Sequence, residues 1–167
     1  MEILFENSYV RNKELAKEVY RYYYFQRKWL VVCYALMAIS FFVNLFIGIF
    51  EKTTNIVVLI VVPLYLLIPI FCYFNQVNAM VKRDKEVHGK EISVETIVTE
   101  DFIQNTASTG SVNKLDYVNV RNAAQTKNLI LLRSKANLIY IFRKDTFTKG
   151  SKDDFIAFLK GKGIKIK

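Results

Sequence analysis

The chain is poor in the residues that build reactive sites, with one histidine and two cysteines among 167 residues. A metal site needs several His, Cys, Asp or Glu at ligand spacing, and both cysteines lie within the long apolar runs. Asp84, Glu86 and His88 alternate along a stretch that reads as helix, which turns them to different faces and argues against a shared ion. His88 as a general base has neither a nucleophile nor an orienting carboxylate beside it in sequence. Glycine is also scarce, and Gly161-Lys162-Gly163 follows a helix rather than preceding one, so it does not form a phosphate cradle. The sequence therefore offers no catalytic residue, no cofactor site and no metal site, and the expectation is a protein that is not an enzyme.

Charge is missing from the middle of the chain. Trp29 to Phe50 contains no charged residue and as a helix extends roughly 33 Å; Ile56 to Phe74 is likewise uncharged and extends roughly 28 Å. Both lengths match a ~30 Å hydrocarbon core, and a chain this short cannot surround two such helices with protein. Glu51-Lys52-Thr53-Thr54-Asn55 between them is long enough only for a tight turn, so the two spans form an antiparallel hairpin. The first run follows a long charged and aromatic segment without a small-residue cleavage site, which favours a retained helix over a signal peptide. Arg21, Arg27 and Lys28 precede the first span, and Lys82, Arg83 and Lys85 follow the second. That asymmetry places both termini in the cytoplasm of a two-pass protein of the plasma (inner) membrane. Trp29, Tyr34, Tyr73 and Phe74 fit an interfacial aromatic belt.

Within the spans, Asn44 is the one strongly polar side chain and reads as a contact to another helix or another subunit. Pro63 and Pro69 loosen the second span. Cys33 and Cys72 fall near the same leaflet in a reducing compartment and read as packing residues. A transporter normally carries intramembrane carboxylates or cations, and none is present here. The net charge of +9 would point to nucleic acid in a soluble protein. Beside anionic lipid it is better explained by the membrane surface, and no nucleic-acid motif is legible, so no nucleic acid is expected as partner.

The ends of the chain carry regular patterning. Ile3-Leu4-Phe5 reads as a short strand, and Leu15, Val19, Tyr22 and Gln26 recur at helical spacing, completing a cytoplasmic segment over 1–28. The spans occupy 29–50 and 56–74 with an external turn at 51–55, and a juxtamembrane helix continues over 75–89 until His88-Gly89. Residues 90–167 then change to strands. Ile92 and Val94 alternate with polar neighbours, with a register shift expected near Ile97-Val98, and further runs lie at 102–103, 112–120, 129–132 and 138–142. Ser151, with Asp154 three positions on, caps a last helix whose apolar stripe is Phe155, Ile156, Phe158 and Leu159. Such a helix would cover the open face of a small antiparallel sheet, giving an α+β membrane protein.

Two spans followed by a helix and a β meander containing Lys114-Leu115-Asp116-Tyr117-Val118 and Thr126-Lys127-Asn128-Leu129-Ile130-Leu131-Leu132 resemble the YcxB-like membrane proteins. In that family the position of Tyr117 usually holds Trp, and the later strand ends in a proline-containing run, which here reads Ile141-Phe142-Arg143-Lys144-Asp145-Thr146-Phe147 without proline. The resemblance implies a C-terminal domain of pleckstrin-homology-like shape and no particular activity.

The functional expectation is a non-enzymatic, membrane-anchored binding or scaffold module. Its cytoplasmic domain would bind a protein partner or anionic lipid heads through a basic patch of Lys127, Arg133, Lys135, Arg143 and Lys144, and the spans would allow a homo-oligomer. The alternatives are an accessory or regulatory subunit of a transporter or exporter and, further off, an enzyme with an unrecognised site.

Overall fold

The structure, a computed structural model, describes residues 2–26, 28–51, 56–89 and 91–166. In chain order the elements are β1 (Ile3–Val10), α1 (Lys13–Gln26), α2 (Lys28–Glu51), α3 (Ile56–His88), β2 (Ser93–Thr99), β3 (Phe102–Ala107), β4 (Val112–Asp116), a 3-10 turn (Tyr117–Asn119), β5 (Val120–Gln125), β6 (Leu129–Ser134), β7 (Ile139–Arg143), β8 (Phe147–Lys149) and α4 (Lys152–Gly161). The chain divides into two units, one made of Met1–Asn12 with Arg83–Lys167 and the other of Lys13–Lys82.

The first unit is a pair of antiparallel sheets, one of five strands in the order β4-β3-β2-β1-β8 and one of three in the order β5-β6-β7. Phe5, Asn7 and Tyr9 alternate with outward residues, which lets β1 bury one face while pairing with β2 on one side and β8 on the other. The short apolar segment at the N-terminus is therefore an interior strand of the larger sheet. The β domain is not confined to 90–167, because β1 comes from the far side of both long helices.

The expected register shift in β2 falls elsewhere. Val94, Thr96 and Val98 all point inward, and the irregularity lies on β1 between Ile3 and Phe5. Thr96 hid the alternation because a polar residue holds an inward position. The single strand expected over 112–120 is also divided. It breaks at the 3-10 turn, where the chain leaves the five-stranded sheet and enters the three-stranded one.

The core between the sheets joins Phe5, Val98, Ile103 and Leu115 to Ile130, Leu132 and Phe142, and α4 closes it with Phe155 and Leu159. Ser151 caps α4, its Oγ accepting from the Asp154 N–H at 3.1 Å and its hydroxyl donating to the Asp154 carboxylate at 2.6 Å. Past α4, the Ala123 N–H donates to the Lys165 carbonyl at 2.9 Å, drawing the tail alongside β5. Gly150 sits at φ +74° against Phe5, where a Cβ would lie 2.9 Å from Phe5 Cε1, so both backbone and space there require glycine.

The second unit holds α1, α2 and the larger part of α3. In α1 the side chains of Leu15, Ala16 and Val19 are buried, while Lys13, Glu14, Lys17 and Arg21 are exposed. The Tyr73 hydroxyl of α3 donates to the Lys17 carbonyl of α1 at 3.2 Å. Val31–Gly48 and Pro63–Glu86 are long and apolar enough to cross a membrane, and only 6% of each stretch is buried. A core helix of a soluble protein would bury most of such a stretch, whereas Leu36, Phe42, Phe46, Leu64 and Phe71 are largely exposed. With 33 residues α3 extends roughly 50 Å, longer than a bilayer core. It stops at His88, with Gly89 at φ +68°. Of the turn expected at 51–55, Glu51 closes α2 and residues 52–55 lie outside the described residues, as does the cation Arg27.

Candidate functional site

Strand register sorts the inner face of the five-stranded sheet into rows. Phe5, Val98, Ile103 and Leu115 form an apolar row that faces the core. The next row is polar: Asn7 lies opposite Thr96, Thr96 opposite Asn105, and Asn105 opposite Asn113. The third row is Tyr9, Val94 and Ala107. The polar row thus marks where the hydrophobic core ends.

Its members are held in place. Asn7, nearly fully buried on β1, donates from Nδ2 to the Arg143 carbonyl at 2.8 Å and accepts from the Arg143 N–H at 3.1 Å, so its side chain imitates a strand pair between the two sheets. The Thr96 hydroxyl donates to Asn105 Oδ1 at 2.8 Å. Beyond this row the sheets part around a cleft of about 410 Å³. Polar Tyr9, Arg11, Arg83, Asp84, Asn105 and Asn113 and apolar Ile92, Val94, Leu138 and Ile139 line it.

Asp84 is the unusual member. It is 5% exposed, and its Oδ2 is buried without a hydrogen-bond partner. A buried polar atom left unpaired costs about 1–3 kcal/mol, and more for a charged group, so such atoms are rare in folded proteins. Arg11 and Arg83 line the same cleft, and the Arg11 backbone N–H donates to the Ile92 carbonyl at 2.9 Å.

The phenols around the domain are shifted upward. Burial raises the Tyr9 pKa, with Arg11 beside it opposing the rise, and burial alone raises that of Tyr140. Tyr117, whose hydroxyl donates to the Thr99 carbonyl at 2.6 Å, is raised first by burial and then by Glu100 and Asp101. Above the ordinary phenol pKa of about 10, an unfolded chain releases these protons while the folded one keeps them. The folded state then binds more protons, so stability falls as pH rises. The contribution is complete below about pH 10 and is lost through the raised folded values. Urea unfolding of the full chain in neutral detergent should therefore show a steady midpoint from roughly pH 7 to 9 and a decline above 10, with less decline in Tyr117→Phe. A midpoint that stays level or rises above 10 would contradict the burial of these phenols.

The five cations grouped by sequence do not come together. Lys127 lies in the β5–β6 turn, and Arg143 and Lys144 lie at the same end of the small sheet, since Leu129 pairs with Arg143. Arg133 and Lys135 lie at the opposite end, where Arg133 pairs with Ile139, roughly 13 Å away along β6. Three of the five also have internal partners. Arg143 binds Asp145 through two hydrogen bonds of 3.0 and 2.6 Å, which hold the Asp145 carboxyl below its ordinary range. Lys144 Nζ donates to the Thr126 carbonyl at 2.7 Å, and Arg133 Nη2 to Asn137 Oδ1 at 2.9 Å. Lys127 and Lys135 are exposed. Asn44 is exposed, and its amide donates to the Ser40 carbonyl of its own helix at 2.8 Å.

Among the described residues no group of three or more His, Cys, Asp or Glu gathers as a metal site. Sequence reading considered Asp84 only as a metal ligand and did not single out Tyr9, Arg11, Asn105 or Asn113. The legible signal was the polar residue at the inward position of each strand, Asn7, Thr96 and Asn105, which breaks an otherwise apolar face. No family model, curated protein or solved structure matches the chain.

Proposed function

We propose that the protein is a membrane-anchored, non-enzymatic binding module. In this reading α2 and α3 insert as a two-pass hairpin, both termini are cytoplasmic, and the sandwich works at the inner face of the membrane on anionic lipid or a protein partner. The observation that carries it is the pair of helices whose apolar side chains are left exposed along spanning length. The flanking cations supply the orientation, because Arg21 and Lys28 precede the first uncharged run, Trp29 to Phe50, and Lys82, Arg83 and Lys85 follow the second, Ile56 to Phe74, at the domain end of α3. The exposed Lys127 and Lys135, one at each end of the small sheet, supply the charge for an acidic surface. The reading includes membership of the YcxB-like family and a pleckstrin-homology-like shape for the domain. Two antiparallel sheets closed by a C-terminal helix support that shape.

Cysteine labelling tests the anchor and its orientation. In a background of Cys33→Ala and Cys72→Ala, Thr53→Cys is expected to react with an impermeant maleimide in intact cells. Glu2→Cys and Lys165→Cys should react only after the membrane is opened. Extraction of the protein by alkaline carbonate, or labelling of the terminal cysteines in intact cells, would overturn the reading.

A further inference from the structure

The cleft between the sheets is lined by charged residues of both signs, Asp84 with Arg11 and Arg83. We propose that it binds a small zwitterion of the ammonium–phosphate type, with the ammonium on Asp84 and the phosphate on Arg11 and Arg83. The inference deepens the binding-module reading, on which it rests for what reaches the cleft, and names its ligand chemistry.

Three observations select this chemistry. Asp84 lines the cleft and its Oδ2 is buried without a partner, so the missing group is a hydrogen-bond donor, and a primary ammonium brings three. Arg11 and Arg83 line the same cleft, and a simple cation would be repelled by both. A simple anion would satisfy the guanidiniums and leave the carboxylate unpaired beside a like charge. A ligand with both ends answers all three side chains, and phosphate is the oxyanion that planar guanidiniums engage in paired hydrogen bonds. The volume of about 410 Å³ lies at the small end of ordinary ligand sites. Ile92, Val94, Leu138 and Ile139 add apolar lining suited to a ligand that continues into a short carbon skeleton.

A donor requirement separates primary from quaternary ammonium, because choline has the same charge and no N–H. The test uses the full chain in neutral detergent with three soluble probes: phosphoethanolamine, phosphocholine and inorganic phosphate. By calorimetry and by shift of the unfolding midpoint, phosphoethanolamine should bind at least about tenfold more tightly than either of the others. Asp84→Asn, which keeps the shape, should abolish the preference over phosphocholine. Arg83→Gln, at an exposed position, should weaken both organophosphates alike.

The same chemistry occurs on lipid headgroups, so a second arm compares nanodiscs of phosphatidylethanolamine with nanodiscs of phosphatidylcholine. Stabilisation by the former alone, lost in Asp84→Asn, assigns the ligand to the bilayer; binding of the soluble probe assigns it to the cytosol. The proposal is overturned if neither setting distinguishes primary from quaternary ammonium, or if Asp84→Asn keeps the preference. The maleimide result is independent of both arms, so an anchored protein with an indifferent cleft would remove this inference and leave the module reading standing.

Discussion

A chain that begins at Asn12 is expected to lose the whole β domain. β1 lies between β2 and β8 in the five-stranded sheet, so removing it separates β8 from its sheet and opens the ladder along β2. It also takes Phe5 out of the core, together with Asn7, whose side chain bridges to Arg143 in the other sheet. Burial of one large apolar side chain contributes about 1.5–3 kcal/mol, and small domains are stable by only about 5–15 kcal/mol. Loss of Phe5, the buried face of Tyr9 and two strand ladders together exceeds that margin. The check compares fragment 83–167 with a fusion that places residues 1–12 ahead of residue 83 through a Gly/Ser linker. The fragment should give a collapsed amide spectrum and the fusion a dispersed one. A dispersed spectrum from the fragment alone would sink the idea.

The second large effect is expected at Phe155. This ring is fully buried, 4.5 Å from that of Phe142, 5.3 Å from Phe5 and 5.6 Å from Phe147, measured between centroids. It therefore joins α4 to β1, β7 and β8 at one point. Phe155→Ala removes the ring's transfer free energy and leaves a cavity among strands that cannot collapse onto it, a loss of about 3–5 kcal/mol. For a domain near 100 residues that amounts to a fall in unfolding midpoint of upward of about 12 °C. Lys152→Ala, on the exposed face of the same helix, should stay within about 0.5 kcal/mol. Urea unfolding of the fusion measures both, and a similar small change in the two variants would show that α4 does not close the core.

Local patterns in the sequence were readable because their physics is local. The long apolar runs, the Ser151 cap and the stripe of Phe155 and Leu159 each depend on residues within a few turns of one another. Strand alternation was readable at Val94 and failed at Thr96, where a hydrogen bond to Asn105 offsets the cost of a polar residue facing inward. The break at Tyr117 was not visible either. Its flanking strands look continuous in one dimension, and the 3-10 turn follows from the need to change sheets.

The sequence by itself determined the two apolar helices of spanning length, the charged flanks, the terminal helix and the antiparallel, α+β character of the rest. Tertiary structure alone decided that β1 completes a sheet begun by residues more than eighty positions later, since pairing energy is realised only between strands brought together by a common core. It also decided that the five cations separate to opposite ends of the small sheet, because Arg133 and Lys135 lie at the β6–β7 turn while Arg143, paired with Leu129, lies at the open end of the same hairpin. The scarcity of histidine and cysteine leaves little material for a Cys/His metal centre. The cleft emerged only when the fold brought Tyr9 of β1, Asn105 of β3 and the buried Asp84 of α3 to line one space, residues that no local pattern connects.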